Sequence, residues 1–267
     1  MNTYQDLHAA YYDLVYATKP YAKEAGFVAG HLERLGAGPS GPAPALLDLA
    51  CGTGRHAVAF AALGYAVTGV DWSEDLLGCA RRSAAAGGID ALFVRQDMRA
   101  LDLDGPPFNA ITCLFDAIGY PLSNAGIVAT LVAARQHLAP AGALAVEFLH
   151  APAMLRHASP VSVRRFATPE GGELVRISES RLDHAAQAMR VSYELIDLKP
   201  GGVGYVRSRE VQENRFFSVE EMRALMATAG LEVESFVPAY SASEAIDDHT
   251  WHVLALAGAS SEPGSAR

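Results

Sequence analysis

Three acidic residues and a pair of glycines stand at spacings that suit the binding of a nucleoside: Asp48, Gly52 and Gly54, then Asp71, then Asp97. Gly52 and Gly54 permit backbone angles closed to other residues and, lacking side chains, let a ligand approach the main chain. Around them, Ala45 to Ala50 reads as a short buried strand, followed by a glycine turn and a helix opening at about Arg55. The helix start adds unpaired N–H groups aimed at the same spot. Glycines alone discriminate poorly, since Gly52-Thr-Gly54-Arg-His-Ala57 also satisfies the dinucleotide fingerprint in its Gly/Ala form. Asp48, four residues before Gly52, is placed to tie down the turn. Asp71 follows a second strand, Ala66 to Val70, seventeen residues after Gly54. A carboxylate there can accept both hydroxyls of a ribose, whether in a dinucleotide or in an adenosine-containing sulfonium compound. A third strand, Ala91 to Arg95, runs into Gln96-Asp97-Met98-Arg99. At that point an acid can accept from an adenine amino group while an apolar neighbour lies against the ring, a use not expected in a dehydrogenase.

These residues need a sheet to hold them at one edge. From Ala45 onward strands and helices alternate: strand 45–50, helix to Leu63, strand 66–71, helix Ser73 to about Ala86, strand 91–95, strand Phe108 to Leu114, helix Asn124 to Leu138, and strand Ala143 to Leu149. Such alternation predicts a parallel sheet covered on both faces. In open α/β sheets ligands sit beyond the carboxyl ends of the strands. That selects Cys51 to Arg55, Asp71-Trp72, Asp97-Met98, Phe115 to Tyr120 and His150. Trp72 is set to flank the adenine or to pack, and Asp71 has an alternative use as a helix cap. Asp116 and His150 are the groups that would deprotonate a hydroxyl acceptor.

Two amphipathic helices, about Tyr4 to Val15 and Tyr21 to Leu35, precede the core, and a Gly/Pro-rich linker joins them to it. Residues 1–44 are expected to cover the site. After His150 the pattern changes to period two, with strands predicted at Val161–Phe166, Leu174–Leu182, Met189–Leu198 and Tyr205–Phe217. This insert, 151–217, reads as an antiparallel meander with one packed face, which would roof the substrate site or pair two chains in a homodimer. Ser218 to Ala229 returns to helix, with Ser218 and Glu221 as a capping box. Strands Leu231–Val237 and Thr250–Ala257 complete the core, 45–150 with 218–258, and a tail is expected over 259–267. The predicted fold is therefore α/β, a seven-stranded, mostly parallel, doubly wound sheet with an antiparallel β-meander insert.

Composition narrows the function further. The chain of 267 residues is half hydrophobic, enough for one α/β domain and an addition. A net charge of −9, with 21 Lys and Arg against 30 Asp and Glu, argues against nucleic acid as a substrate. No uninterrupted apolar run of about 18 residues suggests a membrane span, and the first residues carry no signal-peptide pattern. Three cysteines without metal-ligand spacing fit a reduced, cytoplasmic protein that binds no metal.

Taken together, Asp48-x-x-x-Gly52-x-Gly54, Asp71 and Asp97-Met98 resemble the class I S-adenosylmethionine-dependent methyltransferases over about the first 150 residues. The resemblance narrows through Phe108 to Gly119, His137-Leu-Ala-Pro-Ala-Gly142 with Val146-Glu147, Tyr12-Asp13 and Tyr21 to Ala25. Those segments are similar to N-methyltransferases of nucleotide-linked amino sugars and to the lincosamide-type enzyme that methylates a cyclic amine, both of antibiotic biosynthesis. It implies S-adenosyl-L-methionine as cofactor, held by Tyr21 at the methionine end and by Ala50, Gly52, Gly54, Asp71, Trp72, Asp97, Met98 and Leu114. It also implies that Tyr12 and Tyr120 border the methyl-transfer site; His150, picked out by its place at a strand end, is a third catalytic candidate. Amino-sugar enzymes tend to carry histidine after Ile-Gly, where this chain has Tyr120. The expected function is N-methylation of a small-molecule amine; O-methylation and noncatalytic cofactor binding are the alternatives.

Overall fold

The computed structural model describes residues 6–39, 43–157, 160–243 and 245–259. The tail expected at 259–267 thus lies almost wholly outside the described residues, as does the start of the first helix. Short helices α1 (Asp6–Ala10) and α2 (Tyr12–Val15) lead to α3 (Tyr21–Arg34). The core then runs β1 (Ala45–Leu49), α4 (Arg55–Ala62), β2 (Ala66–Asp71), α5 (Glu74–Ala86), β3 (Ala91–Arg95), β4 (Phe108–Cys113), α6 (Asn124–His137) and β5 (Leu138–His150). A turn of helix, α7 (Ala151–His157), precedes the meander β6 (Val161–Ala167), β7 (Glu173–Asp183), β8 (Ala188–Leu198) and β9 (Tyr205–Phe217). The chain closes with α8 (Val219–Thr228), β10 (Leu231–Pro238) and β11 (His252–Ala259).

The seven-stranded core is present, in the order β3-β2-β1-β4-β5-β11-β10. Five strands, β3-β2-β1-β4-β5, pair in parallel, whereas β11 is antiparallel to both β5 and β10. The expected count is exceeded because β9 also pairs with β5, in parallel, through Leu149↔Phe216 and His150↔Phe217. Those two pairs join the meander to the core as an 11-stranded sheet.

Alternation along the strands explains the double winding. Leu47, Leu49, Ile111, Leu144 and Val146 pack against Ile127 and Leu131 of α6 and Met222 and Leu225 of α8. Leu46, Val67, Ala110, Ala145 and Leu254 face the opposite way, toward Val28 and Leu32 of α3, Phe60 of α4 and Leu77 and Ala80 of α5. Among the described residues, no helix is long and apolar enough to cross a membrane.

Two expectations need correction. The strand expected from Ala143 begins at Leu138: Phe108 pairs with Leu138 and Ala110 with Ala143, so Pro140-Ala-Gly142 forms an irregularity inside β5. The period-two pattern does not predict helix α7, in whose first turn Pro152 sits, where a missing N–H costs little. The helix caps match expectation. Ser73 Oγ accepts from the Leu76 N–H and Ser218 Oγ from the Glu221 N–H. The reciprocal half of the capping box is diverted, because the Glu221 carboxylate instead takes Arg215 and Gln187.

Candidate active site

The carboxyl ends of β1 to β4 open onto a cavity of about 410 Å³. Its floor is the turn after β1, where Ala50 (φ 54°), Gly52 (φ 56°) and Gly54 (φ 73°) all take left-handed angles. A side chain added at Gly52 would point into open space, so this glycine leaves the main chain exposed to a ligand. Gly54 has a different task. A Cβ there would lie 2.9 Å from Ala80 Cβ and 3.0 Å from the Phe93 ring, and the residue lies outside the cavity wall. It permits close packing of α4 on the sheet. Gly54→Ala should therefore cost about 1–3 kcal/mol through overpacking and backbone strain, visible as a lowered urea midpoint. An unchanged midpoint would contradict the packing role.

Asp71 caps the turn. Its Oδ2 accepts the Gly52 N–H at 2.9 Å and its Oδ1 the Ser73 N–H at 2.8 Å. Burial raises this carboxyl above its ordinary value, against the lowering effect of those N–H groups. Each oxygen keeps a lone pair for a further donor. Trp72 stands beside it, 53% exposed, at the rim of the cavity and not in the core. The Arg95 guanidinium lies 5.3 Å from the Trp72 ring centroid and fixes its plane. Asp97 and Met98 line the same end. Asp97 is tied to Arg99 through the Arg99 N–H at 2.9 Å and the guanidinium at 2.5–3.1 Å, which holds its carboxyl below the usual range.

A smaller pocket adjoins the turn, lined by Tyr12, Tyr21, Asp48, Arg55, His56 and Leu114 among others. Asp48 is 2% exposed; its Oδ1 accepts from Thr112 Oγ1 at 2.8 Å, and its Oδ2 is buried without a partner. Burial pushes its carboxyl up to about 6. The Tyr21 hydroxyl is also buried without a hydrogen bond, and its ring lies 4.9 Å from the His56 ring and 5.1 Å from the Arg55 guanidinium. Such orphaned polar atoms cost stability unless a ligand satisfies them.

The opposite wall is aromatic: Tyr12, Phe115 and Tyr120, with Ala117, Pro121 and Leu122. Tyr12 is brought there by α2, which Asp13 anchors to the glycine turn by accepting from Thr53 Oγ1 at 2.8 Å. The same segment is held to the meander, since Tyr11 donates to Asp197 at 2.8 Å and His8 lies 3.2 Å from Glu210. Tyr12 is 8% exposed, and burial holds its hydroxyl well above the ordinary tyrosine value.

His150 does not join this wall. It is buried, with Nδ1 at 3.1 Å from the Thr250 carbonyl, and burial lowers its pKa. Asp116 is also turned away from the cavity: with φ 59° it directs its carboxylate to His252 Nδ1 at 3.0 Å. Glu147 completes that cluster. Its Oε1 lies 3.3 Å from His252, and its Oε2 accepts the Phe115 N–H at 2.8 Å and the Tyr240 hydroxyl at 2.5 Å. Asp116, with hydrogen bonds to both acids, raises the His252 imidazole to about 11 against the effect of burial. The cluster holds Phe115 and Asp116 in consecutive left-handed conformations, the kind of strain found at functional sites.

Comparison with known proteins bears directly on this arrangement. Residues 46–142 match the methyltransferase domain family. A dTDP-3-amino-3,6-dideoxy-alpha-D-glucopyranose N,N-dimethyltransferase of Streptomyces fradiae is 33% identical over 86% of this chain and 85% of its own length. The chain belongs to the S-adenosylmethionine-dependent methyltransferases. A dTDP-3-amino-3,4,6-trideoxy-alpha-D-glucopyranose N,N-dimethyltransferase of Streptomyces venezuelae is 32% identical to this methyltransferase, over 86% of the chain and 92% of the relative. Among solved structures, an amino pentose methyltransferase from Micromonospora echinaspora, with S-adenosylmethionine bound, is 28% identical at a TM-score of 0.71. That similarity spans 96% of this chain and 98% of the other. The residues of the methyltransferase fit the cofactor: an open glycine cradle, a buried unpartnered Asp48 oxygen for an ammonium, and acids at the ends of β2 and β3.

Proposed function

We propose that this methyltransferase transfers a methyl group to the nitrogen of a small-molecule amine, an amino-sugar-like or cyclic amine of secondary metabolism. The observation that carries it is the character of the acceptor wall. Tyr12, Phe115, Tyr120 and Leu122 present aromatic and apolar surface with hydroxyl groups, while the two candidate bases, His150 and Asp116, point elsewhere. Neutral amines need no enzyme base, whereas a hydroxyl acceptor does. The N,N-dimethyltransferase relatives are consistent with this reading.

In the proposed site Asp71 accepts the ribose hydroxyls, Asp97 and Met98 with Trp72 hold the adenine, and Asp48 and Tyr21 receive the methionine end. Ala50, Gly52 and Leu114 supply the surface between them. When bound, the cofactor supplies an electrophilic methyl on a sulfonium. The protein's part is to place the amine lone pair in line with that methyl and to keep water out. Tyr12 and Tyr120 orient the amine by hydrogen bonding. Burial holds the Tyr12 hydroxyl well above the ordinary tyrosine value, so it stays protonated at neutral pH and acts as no base.

A screen of amine and hydroxyl acceptors with labelled cofactor, read by mass, tests the function. With a competent amine, kcat/KM should rise with pH and level off near the amine's own pKa. Tyr12→Phe and Tyr120→Phe should each lower kcat/KM by about ten- to a hundredfold, about 1.4–2.7 kcal/mol of lost orientation. His150→Ala should retain most activity. Losses on the order of 10²–10⁴ in His150→Ala or Asp116→Asn, with hydroxyl acceptors preferred, would replace this reading by O-methylation.

A further inference from the structure

We propose that Asn214 of β9 is a positioning residue for methyl transfer: from the meander it fixes the turn 116–120 that carries Tyr120 to the cavity. This rests on the reading of Tyr120 as a group that orients the acceptor. The wall segment is strained, because Phe115 (φ 55°), Asp116 (φ 59°) and Leu122 (φ 61°) are all left-handed and none is glycine. Such angles persist only where neighbours impose them. The core imposes the first two, through Glu147 on the Phe115 N–H and His252 on the Asp116 carboxylate. The rest of the segment is gripped by β9.

Asn214 Nδ2 donates to the Asp116 carbonyl at 3.1 Å, the same oxygen that accepts the Gly119 N–H at 3.0 Å. Both lone pairs of that oxygen are thereby used. One step on, the Tyr120 N–H donates to the Ala117 carbonyl at 3.1 Å and closes the single 3₁₀ turn Ala117–Gly119. The direction of the Asp116 carbonyl therefore sets the turn on which Tyr120 stands.

Gly119 records how closely β9 approaches. Its φ is not left-handed, so conformational freedom does not account for a glycine there. Space does: a Cβ would lie 1.7 Å from Asn214 Oδ1 and 2.6 Å from the Arg215 carbonyl oxygen. The amide is wedged against the turn, with Nδ2 on Asp116 and Oδ1 facing the Gly119 main chain. That Oδ1 is buried and accepts no hydrogen bond, a cost that the placement of Nδ2 accounts for. The next residue, Arg215, grips the far end, donating to Asn124 just past Leu122 and to Glu221. Two consecutive residues of β9, the meander strand that pairs with β5, so hold both ends of the wall. Asn214 does not line the cavity itself, and it acts on the acceptor through Tyr120.

The test uses the full chain carrying Asn214→Ala or the isosteric Asn214→Asp, which keeps the bulk of the amide and replaces its donor by an acceptor. With S-adenosylhomocysteine bound, amide hydrogen exchange read by mass should quicken about tenfold or more over 116–122 in both variants, and match wild type over the glycine turn. Affinity for S-adenosylhomocysteine should stay within about twofold of wild type. On a competent acceptor, kcat/KM should fall about tenfold or more in each variant. In a Tyr120→Phe background the same change should cost less than about threefold, because the group being positioned is gone. Wild-type exchange over 116–122, or a full further loss in the Tyr120→Phe background, would overturn the proposal. So would loss of cooperative unfolding in both variants, which would make Asn214 a residue of the fold alone. If Tyr120→Phe by itself left kcat/KM unchanged, the orienting role of Tyr120 would fail instead, and exchange over 116–122 would still decide whether Asn214 sets the turn.

Discussion

Glu147→Ala should destabilise the protein by about 3–5 kcal/mol, the range for removing one partner from a buried ion pair. The carboxylate is 1% exposed, receives the Phe115 N–H and the Tyr240 hydroxyl, and faces His252. Its loss leaves two part-buried donors without their acceptor and weakens the hold on the strained turn at Phe115. Burial alone would raise the Glu147 carboxyl, but hydrogen bonds and charge from His252, Tyr240 and Phe115 bring it down to about 2. Relative to an unfolded value near ~4.3, this stability is fully present above that pH and lost as pH falls toward 2. His252 works from the other side. Raised to about 11 from ~6.5 unfolded, it contributes fully below pH ~6.5, and the contribution is lost as pH rises toward 11. Asp116, raised by burial, partly opposes Glu147 in the acid range. The stability difference between wild type and variant should accordingly be largest between pH ~4.3 and ~6.5. Urea unfolding across pH measures it; a difference below about 1 kcal/mol throughout would mean the cluster is no structural keystone.

Asp71→Ala is expected to weaken S-adenosylmethionine binding by a hundredfold or more, about 2.7 kcal/mol. In the proposed site its carboxylate receives two ribose hydroxyls, and charge-assisted hydrogen bonds contribute about 1.5–3 kcal/mol each. The same carboxylate also organises the cradle by accepting the Gly52 and Ser73 N–H groups. Asp71→Asn separates the two effects. It retains one acceptor oxygen while losing the charge, so it should fall between wild type and alanine. Calorimetry with the cofactor, on variants whose unfolding is cooperative, reads both. Unchanged affinity in folded Asp71→Ala would remove the ribose assignment.

The half of the cavity proposed for the cofactor was legible in the sequence because the residues that line it are set by local order. A strand end, a glycine turn and a helix start lie within a dozen residues of one another, and Asp71 and Asp97 end their strands at fixed distances in sequence. The acceptor half depends on contacts that sequence order conceals. His150 ends β5 as expected, but its ring is claimed by the carbonyl of Thr250, |i−j| = 100, and so leaves the cavity. Asp116 is drawn aside by His252, |i−j| = 136, a residue with no motif around it. Phe115 stands in the stretch picked out past β4, but its edge-on partner Tyr16 lies in no motif and comes beside it only through the fold. Strand limits were close wherever alternation was regular. They shifted at β5 because the Pro140-Ala-Gly142 interruption is absorbed inside a continuing strand.

The two residue pairs that join β5 to β9 set the chain's departure into the meander beside its return: His150 lies next to Phe217 across the sheet. Loop-closure entropy grows only logarithmically with length, about 0.6 kcal/mol per doubling, so a segment that leaves and returns at one point tolerates changes of length cheaply. The 151–217 segment is in this sense a cassette. Its strands are nonetheless tied to the segment that carries Tyr12 and Asp13, through Tyr11 to Asp197 and His8 to Glu210, while Asp71 and Asp97 lie at the ends of strands it does not pair with. Variation confined to that segment would reach the cavity first through the Tyr12 wall that it supports, and last through the acids at the ends of β2 and β3.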